Sequence, residues 1–257
     1  MGNLIVAIIA LVLGSLAEAI TWRVPRKISF INDRSKCPKC NHTIAWYDNI
    51  PLFSYLQLNG KCRNCHKKIP NRAPIIELSS LITFLTVYNL TPQITSSMPW
   101  LTNLNILALP VIFLITFTML VVFIIDFEHL FIPDTASFGL FAIIIIAMLF
   151  SNTDIFPYLF AAFVVPSILF ALNLLTKGKG MGLGDVKLAL PIGLSLGPKL
   201  VIPWLMLSFV VGGVFGAFLL LSKNAKLKDK VAFGPFLIIG YLLILVTGEK
   251  ILLLFNF

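Results

Sequence analysis

Residues 121–134 read VVFIIDFEHLFIPD. An apolar run leads straight into Asp126, and a polar cluster of Glu128, His129 and Asp134 follows it. The same conjunction returns at 180–188, GMGLGDVKL, where Asp185 stands at the start of another apolar stretch behind Gly180, Gly182 and Gly184. An ionised carboxylate at bilayer depth costs on the order of 2.5–3.5 kcal/mol even on a lenient insertion scale. Such a residue is presumed functional, and a partner for it is to be sought.

The rest of the chain sets these aspartates in a membrane. A mean hydropathy of +0.94, with 58% apolar and only 12% charged residues, lies outside the range of soluble globular domains. A spanning helix takes about 20 apolar residues at about 1.5 Å of rise each. The stretches 3–20, 74–90, 105–125, 136–151, 156–175, 186–197, 201–221 and 235–253 qualify with varying quality. The expected fold is therefore an all-α polytopic membrane protein of about eight transmembrane helices. The stretch 186–197 is short, and by length alone would be re-entrant. Residues 1–20 lack a cationic segment before the apolar run and read as a retained first helix rather than a removed signal.

Charge orients the bundle. The net charge is +9, and eleven of the twenty Lys and Arg lie in 21–72, three in 177–187 and four in 223–230. This asymmetry is the positive-inside signature and assigns all three regions to the cytoplasmic side, with both termini outside. It also keeps 186–197 as a span, because a re-entrant segment there would put the lysines of 223–230 on the outer face. The cations orient the protein and meet anionic headgroups. Nucleic acid is not needed to explain them.

The polar insert 21–72 is small enough to need reinforcement by metal or disulfides. It holds all four cysteines, as CPKC (Cys37, Cys40) and CRNC (Cys62, Cys65), with twenty-one residues between the pairs. Two C-x-x-C knuckles at this separation are the pattern of a tetrahedral thiolate zinc site. A reducing cytoplasm disfavours two disulfides. His42 and His66 are alternative ligands, but four thiols already complete a site. Four thiolates leave no open position for water, so the zinc is expected to be structural.

By this topology Asp126 and Asp185 occupy the same membrane leaflet. Two carboxylates roughly 3 Å apart cannot both ionise and share one proton. The charged member takes a proton from water while its neighbour protonates the carbonyl or the leaving amine, which hydrolyses an amide without a covalent intermediate. The glycines before Asp185 permit positive φ and close approach of another helix or a peptide. The competing reading is that both aspartates only cap or solvate helix ends. Asp134, after Pro133, is expected to cap the next helix. Glu128 and His129 are expected either to tune the pair electrostatically or to occupy solvated loop positions, and Lys187 either to act on a neighbouring carboxylate or the substrate or, as the preferred reading, to anchor its helix at the interface. Two other classes remain: a proton or ion transporter using the carboxylates as a relay, and a zinc-stabilised scaffold without chemistry. The acids lie on one side only, with no charges marking the far end of a path, and a scaffold leaves the glycine run unexplained.

Several segments in one order resemble the type IV prepilin peptidase family of GxGD aspartyl proteases. These are GSLAEAITWRVP at 14–25, WYDNIPLFSYLQLNGKCRNC at 46–65, IPNRAPIIEL at 69–78, IID with IPD at 124–134, GMGLGDVKL and FGPFLIIG at 233–240. The resemblance implies that Asp126 and Asp185 are the catalytic pair, in an enzyme of the bacterial cytoplasmic (inner) membrane. Its expected action is to cleave prepilin and pseudopilin leaders after a glycine at the cytoplasmic face. It also implies N-methylation of the new terminus with S-adenosylmethionine, associated with the cysteine-bearing region. The implied division is a first helix over 1–20, a cytoplasmic zinc-binding loop domain over 21–73 and a transmembrane protease domain over 74–257. Two positions depart from the family pattern: Glu18 stands where Asn is usual, and Ala73 where Tyr is usual. No glycine-rich fold for the methyl donor is visible, and Arg23 and Glu77 are the residues considered for it, snorkelling or structural ion pairing being the alternative.

Overall fold

The computed structural model describes residues 1–28, 35–178, 180–222 and 231–254, with the backbone alone at 249 and 252–254. The lysine loop 223–230, on which the topological argument leans, lies outside the described residues. Among those described, the chain is helical, with only two isolated antiparallel bridges. The helices are α1 (Gly2–Arg23), α2 (Phe53–Gln57), α3 (Arg72–Asn89), α4 (Thr91–Ser97), α5 (Pro99–Thr102), α6 (Ala108–His129), α7 (Asp134–Phe150), α8 (Phe156–Leu175), α9 (Leu183–Leu221) and α10 (Gly234–Leu254). They form two compact units, Met1–Asn89 and Leu90–Phe257.

Among the described residues, four helical segments are long and apolar enough to cross a membrane: Gly2–Arg26, Asn105–His129, Phe156–Leu175 and Leu183–Leu221. A fifth is reached if Arg72–Asn89 and Thr91–Ser97 count as one broken span. Length and composition thus support four or five spans, short of the expected eight. The difference has physical reasons. Asp134–Phe150 and the described part of α10 are apolar but shorter. The expected spans 186–197 and 201–221 run on as α9, whose 39 residues would make a straight helix of about 58 Å, nearly twice the bilayer core.

α9 is not straight. Gly197 has φ 70° and ψ −176°, a region essentially reserved for glycine, and Pro198 follows it. The chain therefore breaks where the sequence separates two spans, leaving limbs on either side of residue 197. A Cβ at Gly197 would also lie 2.8 Å from the Tyr158 ring.

In the second unit α9 packs against α7, α8 and α10, and α10 against α4 and α6. At Gly193 the approach to α8 is so close that a Cβ would sit 2.8 Å from the Ala161 carbonyl, as small-residue helix interfaces in membranes require. Buried polar side chains then bond neighbouring backbones: Trp100 Nε1–H donates to Ser195 O at 2.9 Å, Trp204 Nε1–H to Leu237 O at 2.9 Å and Ser97 Oγ–H to Leu245 O at 3.0 Å. In the first unit α1 lies on α3, with Ser80 Oγ–H donating to Ala10 O at 2.8 Å. Interhelical bonds of this kind contribute roughly 0.6 kcal/mol each on average.

Gly197→Val is expected to destabilise the protein by about 1–3 kcal/mol from the backbone conformation alone, before the clash with Tyr158. Gly213→Ala, which meets nothing within 4 Å, is the neutral control. Thermal unfolding in detergent reads the difference.

Candidate active site and metal centre

Asp126 lies in the last turn of α6. The helix ends there because Leu130 turns left-handed (φ 52°), its N–H closing on Asp126 O at 2.9 Å. The Asp126 side chain is 5% exposed and accepts the backbone N–H of Gly234 through Oδ2 at 3.1 Å. Gly234 is the first residue of α10, so one buried carboxylate faces the positive end of a helix. Asp185 repeats the arrangement. It is 7% exposed, sits in the first turn of α9, and reaches back to accept the Gly182 N–H at 3.1 Å. A residue three positions into a helix bonding the N-cap amide is one half of a capping box; the other half needs a side chain that glycine lacks.

Ile132, itself buried, brings the two together. A Cβ on Gly184 would lie 3.2 Å from Ile132 Cβ, and one on Gly234 would lie 3.1 Å from Ile132 Cδ1. The glycine beside Asp185 and the glycine that holds Asp126 therefore press on the same side chain. At Gly234 itself a Cβ would stand 2.5 Å from Asp126 Oδ2, so only glycine lets this amide approach.

The glycine run works by smallness rather than handedness. Neither Gly180, Gly182 nor Gly184 has positive φ; nearby, Gly178 does. The run is tied to the end of α8 by Asn173 Nδ2–H donating to Met181 O at 2.6 Å and by Gly180 N–H donating to Thr176 Oγ1 at 3.1 Å.

Two expectations change. Asp134 begins α7 but makes no side-chain cap; its Oδ1 instead accepts from Lys187 Nζ at 2.7 Å. A cation one turn into α9 outcompetes the local amide, and this pair fastens the segments flanking both aspartates. Lys187 is accordingly a strut within this unit. Glu128 and His129 lie 3.8 Å apart, each about 30% exposed, in keeping with positions at the helix end.

The cysteines form a second site. All four Sγ atoms lie within 4.8 Å of one another, Cys37 and Cys65 at 3.9 Å. Four sulfurs about 2.3 Å from one tetrahedral ion stand about 3.8 Å apart, whereas a disulfide needs about 2.05 Å. The geometry fits a metal. His42 and His66 are exposed and stand outside the cluster.

The knuckles are copies of each other, which inspection for repeats at a fixed period does not find. Cys37 N–H donates to His42 O and Cys62 N–H to Lys67 O, both at 2.9 Å. Asn41 and His66, at φ 57° and 55°, make the same left-handed turn. The bridge Lys36–Thr43 becomes Lys61–Lys68, and the bond from Ile44 N–H to Ser35 O becomes that from Ile69 N–H to Gly60 O. Within the knuckles amides point at sulfur. The His42 amide draws Cys40 down to about 7, and those of Cys65 and Asn64 draw Cys62 below the usual thiol range. Cys65 receives the Lys67 amide, yet desolvation and its three sulfur neighbours push it up to about 11. A bound cation would remove that last barrier by holding all four as thiolates.

Of the two residues considered for methyl-donor contact, Glu77 has a backbone partner. Glu77 Oε2 accepts the Leu52 N–H at 2.8 Å, a structural bond. Between the knuckles a cleft of about 250 Å³ is lined by Lys39, Arg63, Lys67, Lys68 and Tyr47. Its one carboxylate, Asp48, is bound bidentately by Arg63 at 2.7 and 2.9 Å. Such a lining does not fit S-adenosylmethionine, whose sulfonium and ammonium would meet cations.

Fold and site together define a multi-pass membrane protein with two buried aspartates and an insert whose four cysteines could hold a metal ion. Two family profiles match the chain in the same division: "Bacterial Peptidase A24 N-terminal domain" over 8–90 and "Type IV leader peptidase family" over 111–217. It is 32% identical to a prepilin leader peptidase/N-methyltransferase of Vibrio cholerae serotype O1, over 93% of this chain and 94% of that one. Proteins of the same name from Aeromonas salmonicida and Pseudomonas aeruginosa are 33% and 31% identical, over 85% and 84% of this chain and 72% of each relative. No solved structure matches. The chain belongs to the type IV leader peptidase family. Gly234 falls outside both matched ranges, and sequence reasoning gave it no role beyond the closing motif; a Gly-Pro pair opening an apolar helix was the available signal.

Gly234→Ala is expected to lower peptidase activity by about tenfold or more through displacement of Asp126, with zinc content unchanged. Purified protein should carry one zinc per chain, and Cys37→Ser should lose it; atomic emission measures both.

Proposed function

We propose that this chain is a membrane-embedded aspartic endopeptidase that removes the leaders of type IV prepilins and pseudopilins. Cleavage follows a glycine at the cytoplasmic face of the bacterial inner membrane. N-methylation of the new terminus with S-adenosylmethionine follows. The single observation that carries the reading is that Gly234, whose amide holds Asp126, and Gly184, next to Asp185, press on the one side chain of Ile132, each carboxylate being bonded to an amide at the start of a helix. The names of the relatives supply the substrate class.

In this reading the pair holds one proton. The ionised carboxylate draws a proton from a water molecule as it attacks the scissile carbonyl, and the protonated one donates to the carbonyl oxygen or the departing amine. The dyad titrates as a unit, so neither residue carries a fixed label. The amides of Gly182 and Gly234 stabilise the negative charge wherever it resides. A substrate helix lying among the spans would bring its glycine to the dyad, and burial from bulk water would limit cleavage to chains threaded there.

The eight-span topology belongs to this proposal: α1, α3, α6, α7, α8, the two limbs of α9 and α10 supply the segments. So does the division into first helix 1–20, cytoplasmic loop domain 21–73 and transmembrane protease domain 74–257. Cys37, Cys40, Cys62 and Cys65 hold a structural zinc that orders the insert. Methyl transfer rests on the relatives' names, and no step of it is derived from these residues.

Asp126→Asn and Asp185→Asn are each expected to reduce prepilin cleavage by about 10²–10⁴-fold, measured in detergent or lipid with a purified prepilin. Full cleavage by either variant overturns the dyad. With labelled methyl donor and pre-cleaved substrate, both variants should still methylate, while Cys62→Ser should not.

A further inference from the structure

In the first unit, the turn Trp46–Asn49 and helix α2 leave an apolar surface uncovered. Trp46 is 76% exposed, Leu56 72% and Phe53 59%, with Tyr47 and Ile50 also exposed. The surface is built rather than frayed. Ser54, buried, donates its Oγ–H to Tyr47 O at 2.8 Å, and its N–H bonds Ile50 O at 3.1 Å. Trp46 meets Tyr47 edge to face at 5.7 Å. Phe53 and Leu56, three apart on α2, share the opposite face from Ser54.

Its depth is fixed by the spans. The Leu52 N–H donates to Glu77, five residues after Arg72 and so about 7.5 Å along α3. Arg72 in turn bonds Glu18 Oε1 at 3.1 Å and Thr21 Oγ1 at 2.7 Å on α1. On that helix Trp22 is exposed, with the Arg26 guanidinium stacked 3.5 Å from its ring centroid. Trp with Arg at the end of an apolar helix marks the headgroup level. Ile75 and Leu78, flanking Glu77, are exposed too, so the surface continues the outward apolar face of α3. Beside it stand Arg63, whose guanidinium lies 5.4 Å from the Tyr47 ring, and Lys61, whose N–H bonds Leu58 O just past α2.

We propose that Trp46, Tyr47, Ile50, Phe53 and Leu56 form a foot that seats in the headgroup layer of an anionic bilayer. Exposed aromatic and aliphatic side chains flanked by cations at this depth match an interfacial anchor. The foot fixes the metal-binding insert against the membrane surface rather than leaving it free on two tethers.

The test uses the full chain in nanodiscs of phosphatidylglycerol and phosphatidylethanolamine. Tryptophan emission of the parent minus that of Trp46→Phe isolates Trp46. Lipid brominated just below the headgroup should quench this component about twofold, acrylamide should reach it poorly, and phosphatidylcholine discs should weaken the lipid quenching. Leu56→Asp should restore acrylamide access while keeping its zinc. The proposal is overturned if acrylamide quenches Trp46 in anionic discs and bromolipid does not. It is equally overturned if shielding requires added prepilin, which would make the surface a protein-docking site.

Discussion

Each buried carboxylate of the second unit is met by the amide end of a helix, and much of that unit's local sequence follows from this pairing. Asp126 could not remain between apolar helices without a donor, because an unpaired buried charge costs more than the packing around it returns. The donor comes from Gly234, more than a hundred residues downstream, at 3.1 Å. For that amide to arrive, residue 234 must lack a side chain, α10 must begin there, and α6 must stop soon after Asp126. The left-handed Leu130 and the Pro133 before α7 serve the last requirement. Asp185 solves the same problem locally by capping its own helix. Capping does not exclude the catalytic role proposed for these residues: a carboxylate held by one oxygen at a helix terminus has the other free.

The first unit is held differently. With little apolar core in the insert, order comes from two copies of one knuckle, whose amides already point at the sulfurs. The insert is joined to the helices through Leu52 and Glu77, where a residue at φ 59° outside glycine is kept in place by a buried carboxylate. Such a backbone conformation is costly for leucine and persists only where its surroundings over-determine it. The strain sits at the junction between the metal-binding insert and α3, which makes that junction specific rather than a loose hinge.

What could be read from the chain beforehand follows the range of the interactions. Hydropathy marks helices well because it averages over a whole segment: 156–175 coincides with α8, and 105–125 and 136–151 fall within a few residues of α6 and α7. The cysteine spacing fixes its cluster because the knuckle is local. The two aspartates stood out as charge in apolar surroundings. Contacts between distant segments left no such trace. Ile132 looks like any apolar residue before a proline, yet it is the wedge between Gly184 and Gly234. Asp134 carries every local sign of a cap, but Lys187, which takes it, lies fifty-three positions on. The duplication of the knuckles is carried mainly by the backbone path, since beyond the cysteines they share only Lys36 with Lys61 and Ile44 with Ile69.

The two departures from the family pattern both lie in the first unit, and the structure gives one of them a physical role. Glu18 is bonded to Arg72, with both side chains only partly exposed at 31% and 20%. Asn in its place would still accept from a guanidinium but would contribute no charge, so Glu18 strengthens the tie between α1 and α3 at the level where the insert departs. Arg72 also bonds Thr21 and lies 5.9 Å from the Trp22 ring, so the added charge acts on a side chain already oriented by two other contacts. Ala73 occupies the first turn of α3, where a small helix former next to Pro74 suits helix initiation. Neither residue belongs to the unit that carries the aspartates, where the amides of Gly234 and Gly182 hold Asp126 and Asp185. Variation at 18 and 73 thus acts on how the four-cysteine insert is carried.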